Sequence, residues 1–115
     1  MPPGWAFLPW ISVKGGEEVV RAQAKKLADN AIPAAAIWSE DWLGESISAV
    51  TGFNINYHWE WDKTHYPDLP GLIDDLHAQD LRFLGYFNPF VTTEFKEWTE
   101  AIAGGFLPLT PDGKP

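Results

Sequence analysis

The chain has 115 residues, room for one domain at most. Hydrophobic residues make up 45% and charged residues 21%, a globular balance that excludes a disordered tail. Lys+Arg is 8 against 16 for Asp+Glu, a formal charge of -8, so neither nucleic acid nor an anionic membrane surface is an expected partner.

Aromatic residues reach 15%, with 7 tryptophans, which points to a dense core or to stacking surfaces for a planar or ring-shaped ligand. The absence of cysteine excludes a disulfide framework and a thiolate zinc site. Met1-Pro2-Pro3-Gly4 lacks the basic start of a signal peptide, and no stretch approaches the ~18 apolar residues of a membrane span, so the cytoplasm is the expected compartment.

Trp5 to Val13 is an apolar, aromatic-rich run that reads as a buried strand with a break at Pro9, and Gly15-Gly16 ends it. Val20, Ala24, Leu27 and Ala31 recur at helical spacing, which predicts a helix over 17–31, closed by Asp29-Asn30 and Pro33. Ala34 to Trp38 is a second short strand, parallel to the first because a helix joins them. A long irregular stretch runs from Ser39 to Pro67. Leu69, Leu72, Ile73 and Leu76 then mark a helix with Asp68 as its N-cap and Pro70 in its first turn. Arg82 to Phe87 is the third strand. Thr92 or Thr93 is placed to cap a last helix with Phe95, Trp98 and Ile102 on one face, stopped by Gly104-Gly105. Pro111-Asp112-Gly113 signals a turn.

Strands alternating with amphipathic helices predict an α/β fold with parallel strands. Three parallel strands leave two unprotected edges, which suggests a portion of a larger sheet, such as the first three βα units of a (β/α)8 TIM barrel, and predicts self-association through the exposed sheet edge.

In such folds function gathers at the C-terminal ends of the strands. Three segments qualify: Lys14-Gly15-Gly16, the stretch from Ser39 to Pro67, and Asn88-Pro89-Phe90. In Trp38-Ser39-Glu40-Asp41-Trp42 two carboxylates leave a strand end between two indoles, and alternation lets only one of Glu40 and Asp41 face a given pocket. A carboxylate beside an indole suits a sugar, whose hydroxyls donate to the acid while its C–H face packs on the ring; a loop of solvated acids and core tryptophans has the same pattern. Tyr57-His58-Trp59-Glu60-Trp61-Asp62, if extended, puts the aromatic residues on one side and His58, Glu60 and Asp62 on the other, a face read as solvated rather than as a metal site. Gly15-Gly16 reads as a structural turn, since Glu17-Glu18 would repel a phosphate. His65 and His77 read as surface residues.

These motifs, in order, resemble the opening of the catalytic barrel in glycoside hydrolase family 31. Trp38, Asp41 and Trp42 match its Trp-x-x-Asp-aromatic strand end, Tyr66-Pro67 its Tyr-Pro, and Asn88-Pro89 its Asn-Pro; the resemblance covers nearly all of residues 1–115. Gly15-Gly16 and Trp59-Glu60-Trp61 are most similar to the sulfoquinovosidase-like branch. The resemblance implies a retaining α-glycosidase on a (β/α)8 barrel, with no cofactor, no metal and a carbohydrate partner. It implies that the catalytic aspartate pair lies on strands beyond Pro115. It also implies a substrate-binding set of Asp41, Trp42, Glu40, Trp38, Tyr57 and Asn88, in which Asp41 hydrogen-bonds hydroxyls of the terminal sugar and Trp42 packs beside it. Glu40 stands where that branch has a sulfonate-binding glutamine. Between Gly44 and His58 there is no Arg or Lys, with Asn54 and Tyr57 nearest the branch's sulfonate-binding arginine and tryptophan. Those departures predict a neutral glycoside as substrate. The competing readings are a non-catalytic carbohydrate-binding module and a small α/β scaffold domain.

Overall fold

Pro9 divides the opening apolar run. Before it, Gly4–Phe7 forms a single 3-10 turn; after it, Trp10–Val13 forms strand β1. The computed structural model describes residues 1–50 and 52–114. Helix α1 (Glu17–Asp29), strand β2 (Ala36–Ser39), strands β3 (Glu45–Ser48) and β4 (Gly52–Ile55), helix α2 (Leu69–His77), strand β5 (Arg82–Gly85) and helix α3 (Lys96–Gly104) follow.

β1, β2 and β5 form a parallel three-stranded sheet in the order β1-β2-β5, with Ile11, Ile37 and Phe83 in one register row and Ser12, Trp38 and Leu84 in the next. Alternation sends the first row to one face and the second to the other. Ile11, Val13, Ile37 and Phe83 pack with Val20, Ala24 and Leu27 of α1 and Leu69, Leu72 and Leu76 of α2, so the helices cover the first face. The opposite face carries Trp10, 51% exposed, and Ser12, Trp38 and Leu84, the arrangement of a sheet whose second face awaits a partner layer. The α/β class and parallel strands expected from the sequence are present. Two βαβ crossovers are complete; α3 follows β5 but buries only Ala101 among its described residues.

α1 and α2 end in the same way. After α1, Ala31 takes φ 50 and Ile32 N–H donates to Leu27 O at 3.0 Å; after α2, Asp80 takes φ 58 and Leu81 N–H donates to Leu76 O at 3.0 Å. Each is a left-handed turn that satisfies an orphan carbonyl and releases the chain into a strand. The helix expected to reach Ala31 therefore stops at Asp29, and Ala31 itself makes the turn. α2 is capped as expected: Asp68 Oδ1 accepts from Gly71 N–H at 3.1 Å. The two helices are tied by Glu17, which accepts from Asp68 N–H at 2.9 Å and from Arg21 Nε at 2.9 Å, while Arg21 also pairs with Asp75.

Three local expectations differ. The stretch between β2 and α2 contains an antiparallel hairpin, β3 against β4, with Glu45 opposite Ile55. Tyr57–Asp62 is not extended, because Trp59 sits at φ 59 and turns the chain. Thr92 does not cap α3; Phe95 occupies the N-cap, and Thr92 instead pairs with Tyr57, whose N–H donates to Thr92 Oγ1 at 2.9 Å. His77 is exposed, whereas His65 is half-buried, its carbonyl accepting from Glu17 N–H at 2.8 Å.

Candidate functional site

The C-terminal tips of the three parallel strands lead into Lys14-Gly15-Gly16, Glu40-Asp41-Trp42 and Tyr86-Phe87-Asn88. Two layers can be distinguished there. One lies on the helix-covered side of the sheet and the other on the open side.

Asp41 belongs to the helix side. It is 0% exposed, and its carboxylate is filled by the chain. Oδ2 accepts from Gly15 N–H at 2.6 Å and Gly16 N–H at 3.1 Å. Oδ1 accepts from the Ser39 hydroxyl at 2.7 Å and the Tyr66 hydroxyl at 2.6 Å. Ser39 Oγ and Tyr66 Oη are also 2.8 Å apart, so two hydroxyl protons serve three short contacts. Burial alone would push this carboxyl up; the Tyr66 hydroxyl, Gly15 N–H, Ser39 hydroxyl and Gly16 N–H together hold it below the usual carboxylate range. The same pairing works in reverse on Tyr66, whose phenol is raised by burial and by the adjacent carboxylate.

The glycine pair ahead of α1 therefore does bind an anion, and that anion is internal. Gly16 has φ 84, and a Cβ there would lie 2.7 Å from the His65 carbonyl oxygen. The turn thus lets three segments distant in sequence meet at one carboxylate. Asp41, expected to meet sugar hydroxyls, has no exposed surface, and Gly15, Gly16, Ser39 and Tyr66 of the chain supply its donors. Trp42 differs too. Its indole lies over Gly85, where a Cβ would come within 2.9 Å of the ring, and its N–H donates to Tyr86 O at 2.7 Å. It lines a helix-side cleft with Leu69, Ile73 and Phe83.

The open-side layer holds the other four candidates. Trp38 meets the Tyr86 ring edge-on at 5.9 Å. Asn88 Nδ2 donates to Tyr86 Oη at 3.1 Å. Burial holds the Tyr57 phenol above its usual value, and the Tyr86 hydroxyl and the negative charge of Glu40 add to the shift. Tyr57 also packs edge-on against Phe90 at 5.7 Å. The Glu40 carboxylate pairs with Lys14 Nζ at 2.6 Å, with the two side chains 26% and 45% exposed.

Tyr86 was not singled out in the sequence, and Lys14 only as part of the strand-end segment Lys14-Gly15-Gly16. Both were legible from register: Val13 opposite Ser39 makes Lys14 the next neighbour of Glu40, and Tyr86 directly follows Gly85 at the β5 tip.

The polar side chains of His58, Glu60 and Asp62 diverge. His58 Nε2 meets Leu43 O at 2.8 Å and its ring stacks on Phe95 at 4.4 Å. Glu60 pairs with Lys96 at 2.6 Å, and Asp62 Oδ1 accepts from Thr64 N–H at 2.7 Å. Among the described residues no group of three or more His, Cys, Asp or Glu side chains converges as a metal site would require, and no helix is long and apolar enough to cross a membrane.

Residues 1–115 match the family model described as the glycosyl hydrolases family 31 TIM-barrel domain. A sulfoquinovosidase of Agrobacterium fabrum is 32% identical over 115 residues, covering 97% of this chain and 17% of the relative. A 1,3-alpha-isomaltosidase of Kribbella flavida is 29% identical over 126 residues, covering 96% and 17%. Among solved structures, a family 31 sulfoquinovosidase from E. rectale in complex with an aza-sugar inhibitor superposes with a TM-score of 0.83 at 32% identity, covering 97% of this chain and 17% of that one.

Proposed function

Since the chain belongs to glycoside hydrolase family 31, we propose that it forms the first three βα units of a retaining α-glycosidase barrel and carries part of the pocket for a terminal sugar, without the catalytic aspartate pair. The pocket residues in this reading are Glu40, Tyr57, Asn88 and Trp38, with Tyr86 joining them; Asp41 and Trp42 position the loop beneath. One observation carries the reading: at the strand tips Trp38 of β2 meets the Tyr86 ring edge-on at 5.9 Å and Asn88 Nδ2 donates to Tyr86 Oη at 3.1 Å, so aromatic and polar groups from two strands gather on the open side. A carboxylate, two phenols, an amide and an indole edge supply the donors, acceptors and apolar surface that a pyranose needs. The preferred ligand is a neutral glycoside, because Glu40 pairs with the Lys14 ammonium and so masks the cation that an anionic sugar would need.

Isothermal titration of this chain with methyl α-D-glucopyranoside or methyl α-D-xylopyranoside tests the proposal. Binding of one of them in the millimolar range, with no release of nitrophenol from aryl α-glycosides, is the expected result. Failure of both sugars to bind, or turnover by the chain alone, would overturn it.

The open face and the two free sheet edges, β1 and β5, favour association with another copy of the chain. Sedimentation equilibrium should then report a concentration-dependent mass; a strictly monomeric species across the range would contradict this.

A further inference from the structure

Lys14 enters the strand-tip layer from β1 and is the residue that the pocket reading does not yet use. Its ammonium lies 2.6 Å from Glu40 Oε2 and 4.2 Å from the centroid of the Phe53 ring, so it bridges the β1 tip, the β2 tip and strand β4 of the hairpin. Neither partner is enclosed: the side chains are 45% and 26% exposed. An ammonium has three donors and a carboxylate several lone pairs, so one mutual contact leaves both able to meet a ligand.

From this geometry we infer that Lys14 and Glu40 act together as a charge-neutral reader of sugar hydroxyls, with Lys14 donating to the hydroxyls and Glu40, by masking the Lys14 ammonium, setting selectivity for neutral over anionic glycosides. The inference rests on the sugar-pocket reading above. A hydroxyl can accept from Nζ while its neighbour donates to the carboxylate, so a vicinal diol satisfies both charges. An anionic substituent at the same place meets attraction from Lys14 and repulsion from Glu40 at similar range. The two nearly cancel, and its lost hydration is not replaced. The pair therefore does more than remove positive charge from the site: it holds a cation in reserve, masked by Glu40.

That masking makes the two single variants behave oppositely. Glu40→Gln keeps a hydrogen-bonding side chain and frees the ammonium. Lys14→Met keeps the length of the stem and leaves Glu40 unpaired. Both positions are exposed enough for the fold to persist, which an unchanged far-ultraviolet circular dichroism spectrum checks. The experiment titrates this chain and each variant, at low ionic strength, with methyl α-D-glucopyranoside and with methyl α-D-glucopyranosiduronate as the anionic probe.

The unaltered chain should bind the neutral sugar at least about tenfold more tightly than the uronate. Glu40→Gln should raise uronate affinity about tenfold, and added salt should erase that gain. Lys14→Met should weaken neutral-sugar binding about fivefold by removing a charged donor, and Lys14→Arg should restore most of it. An unchanged uronate affinity in Glu40→Gln, or an unchanged neutral-sugar affinity in Lys14→Met, overturns the role of the pair while leaving the pocket intact. If the unaltered chain binds neither probe, the pocket reading fails and the inference fails with it.

Discussion

Asp41→Ala should lower the stability of this chain by about 3–5 kcal/mol. The carboxylate is 0% exposed and collects donors from Gly15, Gly16, Ser39 and Tyr66. Removing it leaves those donors buried and facing one another across a cavity. Asp41→Asn separates charge from hydrogen bonding. With its amide oxygen toward the two glycine N–H groups and its NH2 toward the two hydroxyl oxygens, it keeps contact with the same partners but leaves one hydroxyl proton without an acceptor, and should cost about 1–3 kcal/mol.

The two variants also differ in their response to acid. Because the folded chain holds the Asp41 carboxyl below its usual value, its contribution is fully present above the unfolded value near 4 and is lost as pH falls through the folded value. Chemical denaturation between pH 7 and pH 2.5 should therefore show stability falling with acid in the unaltered chain and a flatter profile in Asp41→Asn. Asp62, also held low despite a burial penalty, by N–H donors from Thr64 and His65, leaves a residual slope in both. Equal slopes in the two proteins would contradict the assignment.

Gly16→Ala is the second large effect, expected at about 2–4 kcal/mol. Residue 16 lies at φ 84 and ψ -173, a region that only glycine occupies without strain, and an added Cβ would stand 2.7 Å from the His65 backbone oxygen. Relief requires moving the 65–66 segment, which breaks the Glu17 N–H to His65 O bond of 2.8 Å and withdraws Tyr66 from Asp41. Gly113→Ala provides the contrast. Gly113 also has positive φ, but its added Cβ would meet nothing within 4 Å. That change should cost only the backbone term, about 1–2 kcal/mol. A thermal midpoint for Gly16→Ala no lower than that for Gly113→Ala would contradict the close approach.

The parts of the fold that were legible in the sequence are those where one periodicity acts alone. Val20, Ala24 and Leu27 mark the buried stripe of α1, and Asp68 with Pro70 marks the start of α2. Ala36–Ser39 had to pair in parallel once a helix joined it to β1. The hairpin was hidden because Glu45–Ser48 and Gly52–Ile55 are short and carry few apolar residues. Trp59 broke the alternation of its segment through a left-handed φ that no feature of a tryptophan announces.

Asp41 is the instructive case. Alternation would separate Glu40 from Asp41, but the chain is no longer extended there; the two carboxylates part at the start of a 3-10 turn. Ile37 and Ser39 share the helix side, but Glu40 sits at φ -91, ψ -30 and Asp41 opens a 3-10 turn, so its bonds to Ser39 and Tyr66, rather than strand parity, place its carboxylate on that side. The family resemblance drew attention to the conspicuous aspartate, and its burial was visible only once Tyr66 and the glycine turn were in place around it.

The most direct measurement of the central claim is a backbone amide NMR titration of this chain with methyl α-D-glucopyranoside. Shift changes should concentrate at the strand tips, at Lys14, Glu40, Tyr57, Tyr86 and Asn88, with α1 and α2 silent beyond their first turns. Shifts confined to the helix-side cleft around Leu69 and Ile73, or spread evenly over the chain, would contradict it.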